Sequence, residues 1–336
     1  MTLWVAVSLF AGVLSFFSCI MATVMAKKSG MIAQPGERQS HELATPTGGG
    51  LGLMFSIVVT TACTHLVIPL PDFWWQNMLP GVILLAIVGW RDDKFPVSSI
   101  IRLLVQLVVS IWLLGFGWSE FSWKELGLLA VAFVAMVWMM NLYNFMDGSN
   151  GMAGFQGVFA GMTMAVFLQI GGQHTMALVA LVVAAACAGF LPLNFPRARV
   201  FMGDVASVPL GFIFASLTVF GVMTGSLSLP VAILIMSVFI VDATLTLLSR
   251  VFRGERWYTA HAQHVYQRLI AQGWTHRQVL LIYQAVNVIV VLPALVLAEI
   301  YPQYAMVTVG FTLILLGTCW QIAKWRLGMI ARAQTK

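Results

Sequence analysis

Residues 125–170 have the sequence ELGLLAVAFVAMVWMMNLYNFMDGSNGMAGFQGVFAGMTMAVFLQI, in which two apolar segments enclose the polar stretch 141–151. Each apolar segment, 125–143 and 152–170, has about the 20 residues that an α-helix needs to cross the hydrocarbon core of a bilayer. The carboxylate and carboxamides between them need water, a metal ion or a ligand, because an unpartnered polar group beside hydrocarbon is costly. The stretch therefore predicts a helical membrane protein with chemistry at this helix end.

The polar stretch has a regular spacing. Asn141, Asn144 and Asp147 recur at steps of three, which places their oxygen-bearing side chains on one face of a helix end. Such a face suits a hard cation, which prefers oxygen ligands. Asn141 and Asn150 have the alternative role of shaping the turn.

The whole composition agrees with a membrane location. The 336 residues are 60% hydrophobic and 9% charged, with a mean hydropathy of +0.90, whereas soluble domains are roughly 25% charged. Long unbroken apolar runs exclude a β-barrel. We predict an all-α polytopic bundle that forms one domain over 1–336. The eleven predicted spans are 2–26, 48–69, 76–91, 99–117, 125–143, 152–170, 175–192, 205–224, 227–249, 277–298 and 304–323.

The basic residues predict the orientation of this bundle. With eleven spans and a periplasmic N-terminus, 17 of the 18 Lys and Arg residues lie on the inner side, and Lys124 alone lies outside. This agrees with the positive-inside rule and places the C-terminus in the cytoplasm. The net charge of +6 then reflects topology, and we expect no nucleic-acid partner. The first run reads as a retained span, and the four cysteines fall inside spans without CxxC spacing.

The predicted inner loops contain most of the informative polar residues. Asp92, Asp93, Asp147 and Asp204 all fall on this side, at helix ends or in Gly-rich turns. We therefore expect an active site built from the inner loops at about 27–47, 91–98, 144–151, 193–204 and 250–276.

Each of these loops also has a simpler explanation. The glycines of 48–50 either let backbone N–H groups approach an anion or allow close helix packing. The adjacent carboxylates of Asp92 and Asp93 either bind a cation or are solvated. Asp204 could cap a helix. Asp242, the one acid within a span, is either functional or a buried hydrogen-bond partner.

The loop 250–276 carries three histidines and several arginines. His261, His264 and His276 with these arginines match recognition of a phosphorylated substrate. Alternatively, His261 and His264 form half of a zinc site, and some arginines only orient the protein in the membrane.

In order and spacing these segments resemble one superfamily, the polyprenyl-phosphate N-acetylhexosamine-1-phosphate transferases, which include the phospho-MurNAc-pentapeptide translocase. The resemblance extends from about residue 38 to 277. The matching residues are Thr45-Pro46-Thr47-x-Gly49-Gly50, Asp92-Asp93, Asn141-x-x-Asn144-x-x-Asp147-Gly148-x-x-Gly151, Gly203-Asp204 and a His loop that ends at Gly273-Trp274. Each motif is weak or moderate alone, and the ordered set on one membrane face is specific.

The resemblance implies a reaction and its residues. A lipid monophosphate attacks the β-phosphorus of a UDP-N-acetyl sugar and UMP leaves. Asp204, Asn144 and Asp147 would hold Mg²⁺, with Mn²⁺ as an alternative. Asp92 and Asp93 would be catalytic, beside the acceptor phosphate, as a base or as positioning groups. The implied substrate-binding residues are Arg38, His41, Thr47, Gly49, Asn141, His261, His264 and Arg268.

The resemblance also implies partners and a branch. The acceptor would be undecaprenyl phosphate, within membrane lipid, and the donor UDP-GlcNAc or its FucNAc or QuiNAc counterpart. His264-Val-Tyr266-Gln267 departs from the denser family histidine cluster, which leaves the roles of Tyr266 and Gln267 open. The basic pair Arg38 and His41 and an eleventh span resemble the branch that starts O-antigen of lipopolysaccharide. Localisation in the bacterial inner membrane, a cytoplasmic active site and a homodimer are further family expectations.

Three other functions compete with this interpretation. A secondary transporter would also be a polytopic bundle, but its site lies near the membrane midplane between repeats. A membrane glycosyltransferase would release UDP, and a lipid phosphatase would release inorganic phosphate.

Overall fold

The computed structural model describes residues 2–33, 44–115, 123–255 and 262–334. The described chain is almost entirely helical, which confirms the predicted all-α class. Its α-helices, numbered α1 to α13, are Thr2–Lys28, Gly50–His65, Leu79–Lys94, Ser99–Gly115, Trp123–Phe145, Met152–Ile170, His174–Asn194, Asp204–Met223, Leu229–Phe252, Val265–Ala271, His276–Val286, Leu292–Ile300 and Ala305–Gln334.

The apolar helices coincide with the predicted spans. Among the described residues, nine helical segments are long and apolar enough to cross a membrane, and the apolar helices α2 and α4 are shorter. Each of the eleven predicted segments overlaps one of these helices. The chain is a polytopic membrane protein, while the number of spans and their sidedness stay predictions.

Several local features differ from the predictions. Ile32–Ala33 and Thr45–Pro46 form a short antiparallel strand pair, β1 and β2. The short helix α10 lies within the predicted 250–276 loop. Helix α3 follows the π-helical turn Phe73–Met78 and continues to Lys94, so Asp92 and Asp93 lie in its last turn and not in a loop. The π-helical turn Asn287–Val291 joins α11 to α12.

Helix α8 is the centre of the bundle. It packs against α2, α3, α5, α6 and α9, and most of its side chains are buried. A helix that is apolar on every side suits such a position, because it has no polar face to place in solvent. Helices α1, α2, α6 and α7 pack together beside it, and α13 packs on α9.

The position of α8 also determines where the site forms. Asp204 is the first residue of α8, so this central helix begins at the end of the bundle where α3 and α5 end. The chain reverses direction from one long helix to the next, which brings the predicted inner loops to this same end.

Candidate active site

Residues of all five predicted loops line one cavity of about 1230 Å³. Thr47, Asp93, Asp147, Asp204 and His264 each come from a different loop, and all of them face this cavity. The structure therefore brings residues of the five predicted loops to one cavity.

Asp93 closes the start of helix α8. Its Oδ1 accepts a hydrogen bond from the backbone N–H of Asp204 at 3.0 Å, and its Oδ2 accepts one from that of Val205 at 3.3 Å. The first N–H groups of a helix have no partner within the helix, so a carboxylate there satisfies them and complements the helix dipole. Gly203 permits this approach, with φ of +75° and a position where a Cβ would lie 2.3 Å from Asp93 Oδ2.

This arrangement changes the expected role of Asp204. Asp204 could have capped the helix with its own side chain, but Asp93 does so instead. The Asp204 carboxylate therefore faces the cavity. Its Oδ1 accepts a hydrogen bond from Asn144 Nδ2 at 2.8 Å, and its Oδ2 accepts one from Arg102 Nη1 at 2.9 Å.

Arg102 connects two of the predicted acidic residues. Its Nη1 also donates to Asp92 Oδ2 at 2.8 Å, and Asp92 Oδ1 accepts from the backbone N–H of Val97 at 2.6 Å. The Arg102 side chain stays 39% exposed and lines the cavity. Asp92 is therefore a partner of Arg102 at the edge of the site, and Asp93 is the member of the pair that lines the cavity.

Asp147 lies in the same acidic group. Withdrawal from water, then the neighbouring carboxylates of Asp204 and Asp93, raise the pKa of Asp147 well above its usual value, although a hydrogen bond from the Gly203 backbone acts in the opposite direction. In the described part of the chain, Asp204 and Asp92 form ion pairs with one cation, Arg102, and no ion pair involves Asp93 or Asp147. The cavity thus has more negative than positive charge at this point.

The residue types fit a magnesium ion. Carboxylate oxygens are the ligands that Mg²⁺ and Mn²⁺ prefer, and the surplus negative charge of Asp147 and Asp204 is what a divalent ion would offset. The ligands are not preassembled, because no group of three His, Cys, Asp or Glu side chains among the described residues is arranged to hold a metal. In this structure, the two carboxylate oxygens of Asp204 accept hydrogen bonds from Arg102 and Asn144.

The predicted common face of Asn141, Asn144 and Asp147 is present, and all three residues line the cavity. Asn141 Nδ2 donates to Gln106 Oε1 at 2.7 Å. Asn144 Nδ2 donates to Ser207 Oγ at 3.1 Å as well as to Asp204. Asn144 therefore orients Asp204 through its amide nitrogen, and its role as a metal ligand stays a prediction.

His264, Tyr266 and Gln267 also line the cavity. The buried His264 ring stacks on Tyr266 with centroids 5.8 Å apart, and the Tyr266 hydroxyl donates to the Phe145 carbonyl oxygen at 2.8 Å. Gln267 Oε1 accepts from the His264 backbone N–H. Tyr266 and Gln267, whose roles were open, thus support His264. A Cβ at Gly148 would collide with the Tyr266 hydroxyl, so this turn requires glycine.

His276 contacts the turn that follows α5. Its Nδ1 lies 2.9 Å from Ser149 Oγ and accepts from the Asn150 backbone N–H at 3.3 Å. This nitrogen is therefore engaged within the protein.

Some predicted residues are not brought to the cavity. Gly49 is buried and its N–H donates to the Phe201 carbonyl oxygen at 2.9 Å, which favours the packing role of the glycine run over anion binding. Arg268 does not line the cavity; burial and the neighbouring Arg253 lower its pKa. The predicted substrate-binding residues Arg38, His41 and His261 lie outside the described residues.

Sequence reasoning also missed residues of the site. Arg102, Gln106 and Ser207 line the cavity but were not predicted to function. Arg102 was assigned to membrane orientation, as the positive-inside rule allows. Its position inside an apolar helix, ten residues after Asp92, was the available signal. The side chains of Gln106 and Ser207 had no comparable signal, because single polar residues are common in packed helices.

Comparisons with known proteins match the part of the chain that contains the acidic residues of the site. The model of the family described as glycosyl transferase family 4 matches residues 75–222, a range that includes Asp92, Asp93, Asn144, Asp147 and Asp204. Similarity to curated proteins extends over most of the chain.

Three bacterial relatives illustrate that similarity. A probable undecaprenyl-phosphate N-acetylglucosaminyl 1-phosphate transferase of Bacillus subtilis is 27% identical, over 85% of this chain and 84% of the relative. A decaprenyl-phosphate N-acetylglucosaminephosphotransferase of Mycolicibacterium smegmatis is 28% identical, over 84% and 79%. An undecaprenyl-phosphate alpha-N-acetylglucosaminyl 1-phosphate transferase of Escherichia coli is 26% identical, over 82% and 77%. These matches support the resemblance of the chain to the polyprenyl-phosphate N-acetylhexosamine-1-phosphate transferase superfamily.

Proposed function

We infer that this protein transfers N-acetylhexosamine-1-phosphate from a UDP-sugar to undecaprenyl phosphate and releases UMP. The observation that carries this proposal is the composition of the cavity, which joins an acidic polar end to an apolar groove. A reaction between a lipid phosphate and a nucleotide sugar needs both surfaces in one site. The activities of the three relatives support the same reaction.

The apolar part of the cavity suits a polyprenyl chain. It is lined by Leu103, Leu107, Phe133, Val137, Trp138 and Leu247. Ile100 and Val134 also line it and are 69% and 64% exposed, so the groove opens on the lipid-facing side of α4 and α5. An isoprenoid chain can lie there without leaving an apolar environment, with its phosphate at the polar end.

The chemistry requires control of negative charge. An oxygen of the acceptor phosphate forms a bond to the β-phosphorus of the donor, the bond from that phosphorus to the bridging oxygen breaks, and the electron pair leaves with UMP. A phosphate monoester has a second pKa of about 6, so the attacking oxygen is already largely ionised at neutral pH. Positioning and charge stabilisation therefore account for most of the catalysis.

The residues divide these tasks between them. Asp147 and Asp204 would hold Mg²⁺ or Mn²⁺, which neutralises charge on the transferred phosphoryl group when bound. Asn144 orients Asp204, and Asp93 fixes the start of α8 beneath it. Arg102 offers a guanidinium to the acceptor phosphate, and Asp92 orients Arg102.

The donor would contact other polar residues of the same cavity. The cavity is also lined by Thr47, Asn141, His264 and His276, which offer polar contacts to a sugar and a nucleotide. The GlcNAc named for all three relatives makes UDP-GlcNAc the first donor to test, followed by UDP-FucNAc and UDP-QuiNAc. Initiation of O-antigen synthesis at the cytoplasmic face of the inner membrane is the corresponding physiological role.

The position of the site disfavours a transporter. The cavity is built from helix ends at one end of the bundle, whereas transporter sites lie near the midplane. The product separates the remaining alternatives, because sugar transfer releases UDP and lipid phosphate hydrolysis releases inorganic phosphate.

The proposal is tested with membranes that contain the protein, undecaprenyl phosphate, Mg²⁺ and a panel of UDP-N-acetyl sugars. We expect UMP as the nucleotide product with at least one sugar, and loss of the activity in EDTA. No UMP with any sugar, while a related enzyme works in parallel, contradicts the proposed reaction. Activity that survives EDTA contradicts the metal role of Asp147 and Asp204.

A further inference from the structure

Asp242 is a buried acid that joins four helices. It lies in α9 and is 3% exposed. Its Oδ1 accepts hydrogen bonds from Thr246 Oγ1 at 3.2 Å, the Val265 backbone N–H at 3.1 Å and Trp320 Nε1 at 3.1 Å. Its Oδ2 accepts one from the Tyr283 hydroxyl at 2.6 Å. These donors belong to α9, α10, α13 and α11.

One of these contacts lies directly beside His264, which lines the cavity. Val265 is the first residue of α10 and follows His264 directly. Asp242 Oδ1 also lies 3.9 Å from His264 Nδ1. The position of the imidazole therefore depends on an acid that does not itself line the cavity.

We propose that Asp242 is a positioning residue, which holds His264 in the cavity by fixing the start of α10 to α9, α11 and α13. The inference rests on the proposed function, in which His264 contacts the donor. A buried carboxylate is costly unless several donors surround it, and these donors come from separate elements. The same hydrogen bonds that stabilise the carboxylate thus fix the histidine.

A second buried polar group provides a matched control. Gln156 of α6 donates from Nε2 to the Ile235 carbonyl oxygen at 3.1 Å and accepts from Asn287 Nδ2 at 2.9 Å. It connects α6, α9 and the 287–291 turn, and neither Gln156 nor Asn287 lines the cavity. Its loss should weaken helix packing without moving His264.

The first test is a double-mutant cycle in the full-length protein. Asp242→Asn keeps the size of the side chain and removes its charge, and we expect kcat/KM for the UDP-sugar to fall about 10–100-fold, as for a displaced contact group. Gln156→Leu should lower the melting temperature, but it should leave kcat/KM within about twofold because Gln156 shares no partner with His264. In a His264→Ala background, Asp242→Asn should have almost no further effect. Full additivity of the two substitutions would overturn the proposal.

A second measurement does not depend on activity. Hydrogen–deuterium exchange of residues 262–271 should increase in Asp242→Asn and in Tyr283→Phe, and should match the wild type in Gln156→Leu. Unchanged exchange in Asp242→Asn would overturn the positioning role. If the wild-type protein released no UMP, the proposed function would fail, while the exchange result would still decide whether Asp242 fixes α10.

Discussion

At the scale of single residues, the charge of the cavity depends on Asp147, Asp204 and Arg102. Two partly buried carboxylates lie close enough that Asp204 raises the pKa of Asp147, and one guanidinium bridges Asp204 to Asp92. Carboxylates that face each other in this way are stabilised by a cation. The acidic end of the cavity is thus prepared for a positively charged ligand.

The metal role of Asp204 can be tested by removing its charge. Asp204→Asn keeps the size of the side chain but removes the charged ligand, so we expect turnover to fall by about 10²-fold or more and the Mg²⁺ concentration for half-maximal activity to rise. Asp72→Asn, at an exposed acid before α3, is the control and should behave as the wild type. An unchanged Mg²⁺ dependence in Asp204→Asn would remove this residue from the metal site.

Arg102 has a separate prediction. Arg102→Gln removes the positive charge that faces the acceptor, so KM for undecaprenyl phosphate should rise about tenfold or more. Arg102→Lys keeps the charge but cannot bridge two carboxylates with a planar guanidinium, and we expect an intermediate KM. Steady-state kinetics with the acceptor varied will measure both variants. Equal KM values for all three proteins would contradict the acceptor-binding role.

Residue spacing predicted only part of this arrangement. The steps of three from Asn141 to Asp147 placed three side chains on one face, because this spacing depends on one helix alone. The pairing of Arg102 with Asp204 depends on how α4 packs beside α3 and α8, and a residue 102 positions away leaves no local pattern. The amide orientation of Asn144 was unpredictable for the same reason.

At the scale of elements, the start of α8 organises the site. Asp93 at the end of α3 binds the first N–H groups of α8, so two consecutive acidic residues of one helix point to different partners. Asp92 contacts Arg102, and Asp93 contacts α8. The sequence predicts a loop for this pair because the apolar run ends at residue 91, whereas α3 continues to Lys94. Consecutive residues of a helix point in different directions, so each acid has its own partner.

Gly203 tests this element. Gly203→Ala places a Cβ against Asp93 and strains a backbone with φ of +75°, whereas Gly172→Ala strains a backbone with φ of +77° in open space between α6 and α7. Gly172→Ala should cost about 1–2 kcal/mol from its positive φ. Gly203→Ala should lower the melting temperature more, because φ of +75° with ψ of 172° is a conformation that only glycine readily adopts and because the added Cβ meets Asp93. We expect Gly203→Ala alone to lose turnover. Equal activity of the two variants would show that the Asp93 contact does not matter.

At the scale of the whole molecule, the site exists because five loops meet at one end of an apolar bundle. Hydropathy predicted these loops well, since a span is recognised by length and composition alone. It could not predict that α8 occupies the centre, that α10 forms within the last loop, or that α11 and α12 are joined by a π-helical turn. Those features depend on packing between distant segments.

The sidedness of the bundle has its own test. Gln173→Cys lies in the turn between α6 and α7, and Arg197→Cys lies between α7 and α8. With eleven spans and a periplasmic N-terminus, a membrane-impermeant maleimide should label Gln173→Cys in intact cells and Arg197→Cys only after permeabilisation, both against a background without native cysteines. The reverse pattern would contradict the predicted orientation.

The most direct measurement follows the phosphorus atom itself. Purified protein is incubated with undecaprenyl phosphate, Mg²⁺ and UDP-GlcNAc that carries radioactive phosphorus at its β-position, with Asp204→Asn as the inactive control. Transfer of sugar-1-phosphate predicts that the label enters the lipid fraction while unlabelled UMP accumulates in equal amount. Two results would contradict the proposed reaction with this donor. In one, the label stays in UDP while the sugar enters the lipid. In the other, no label enters the lipid under conditions where a related enzyme is active.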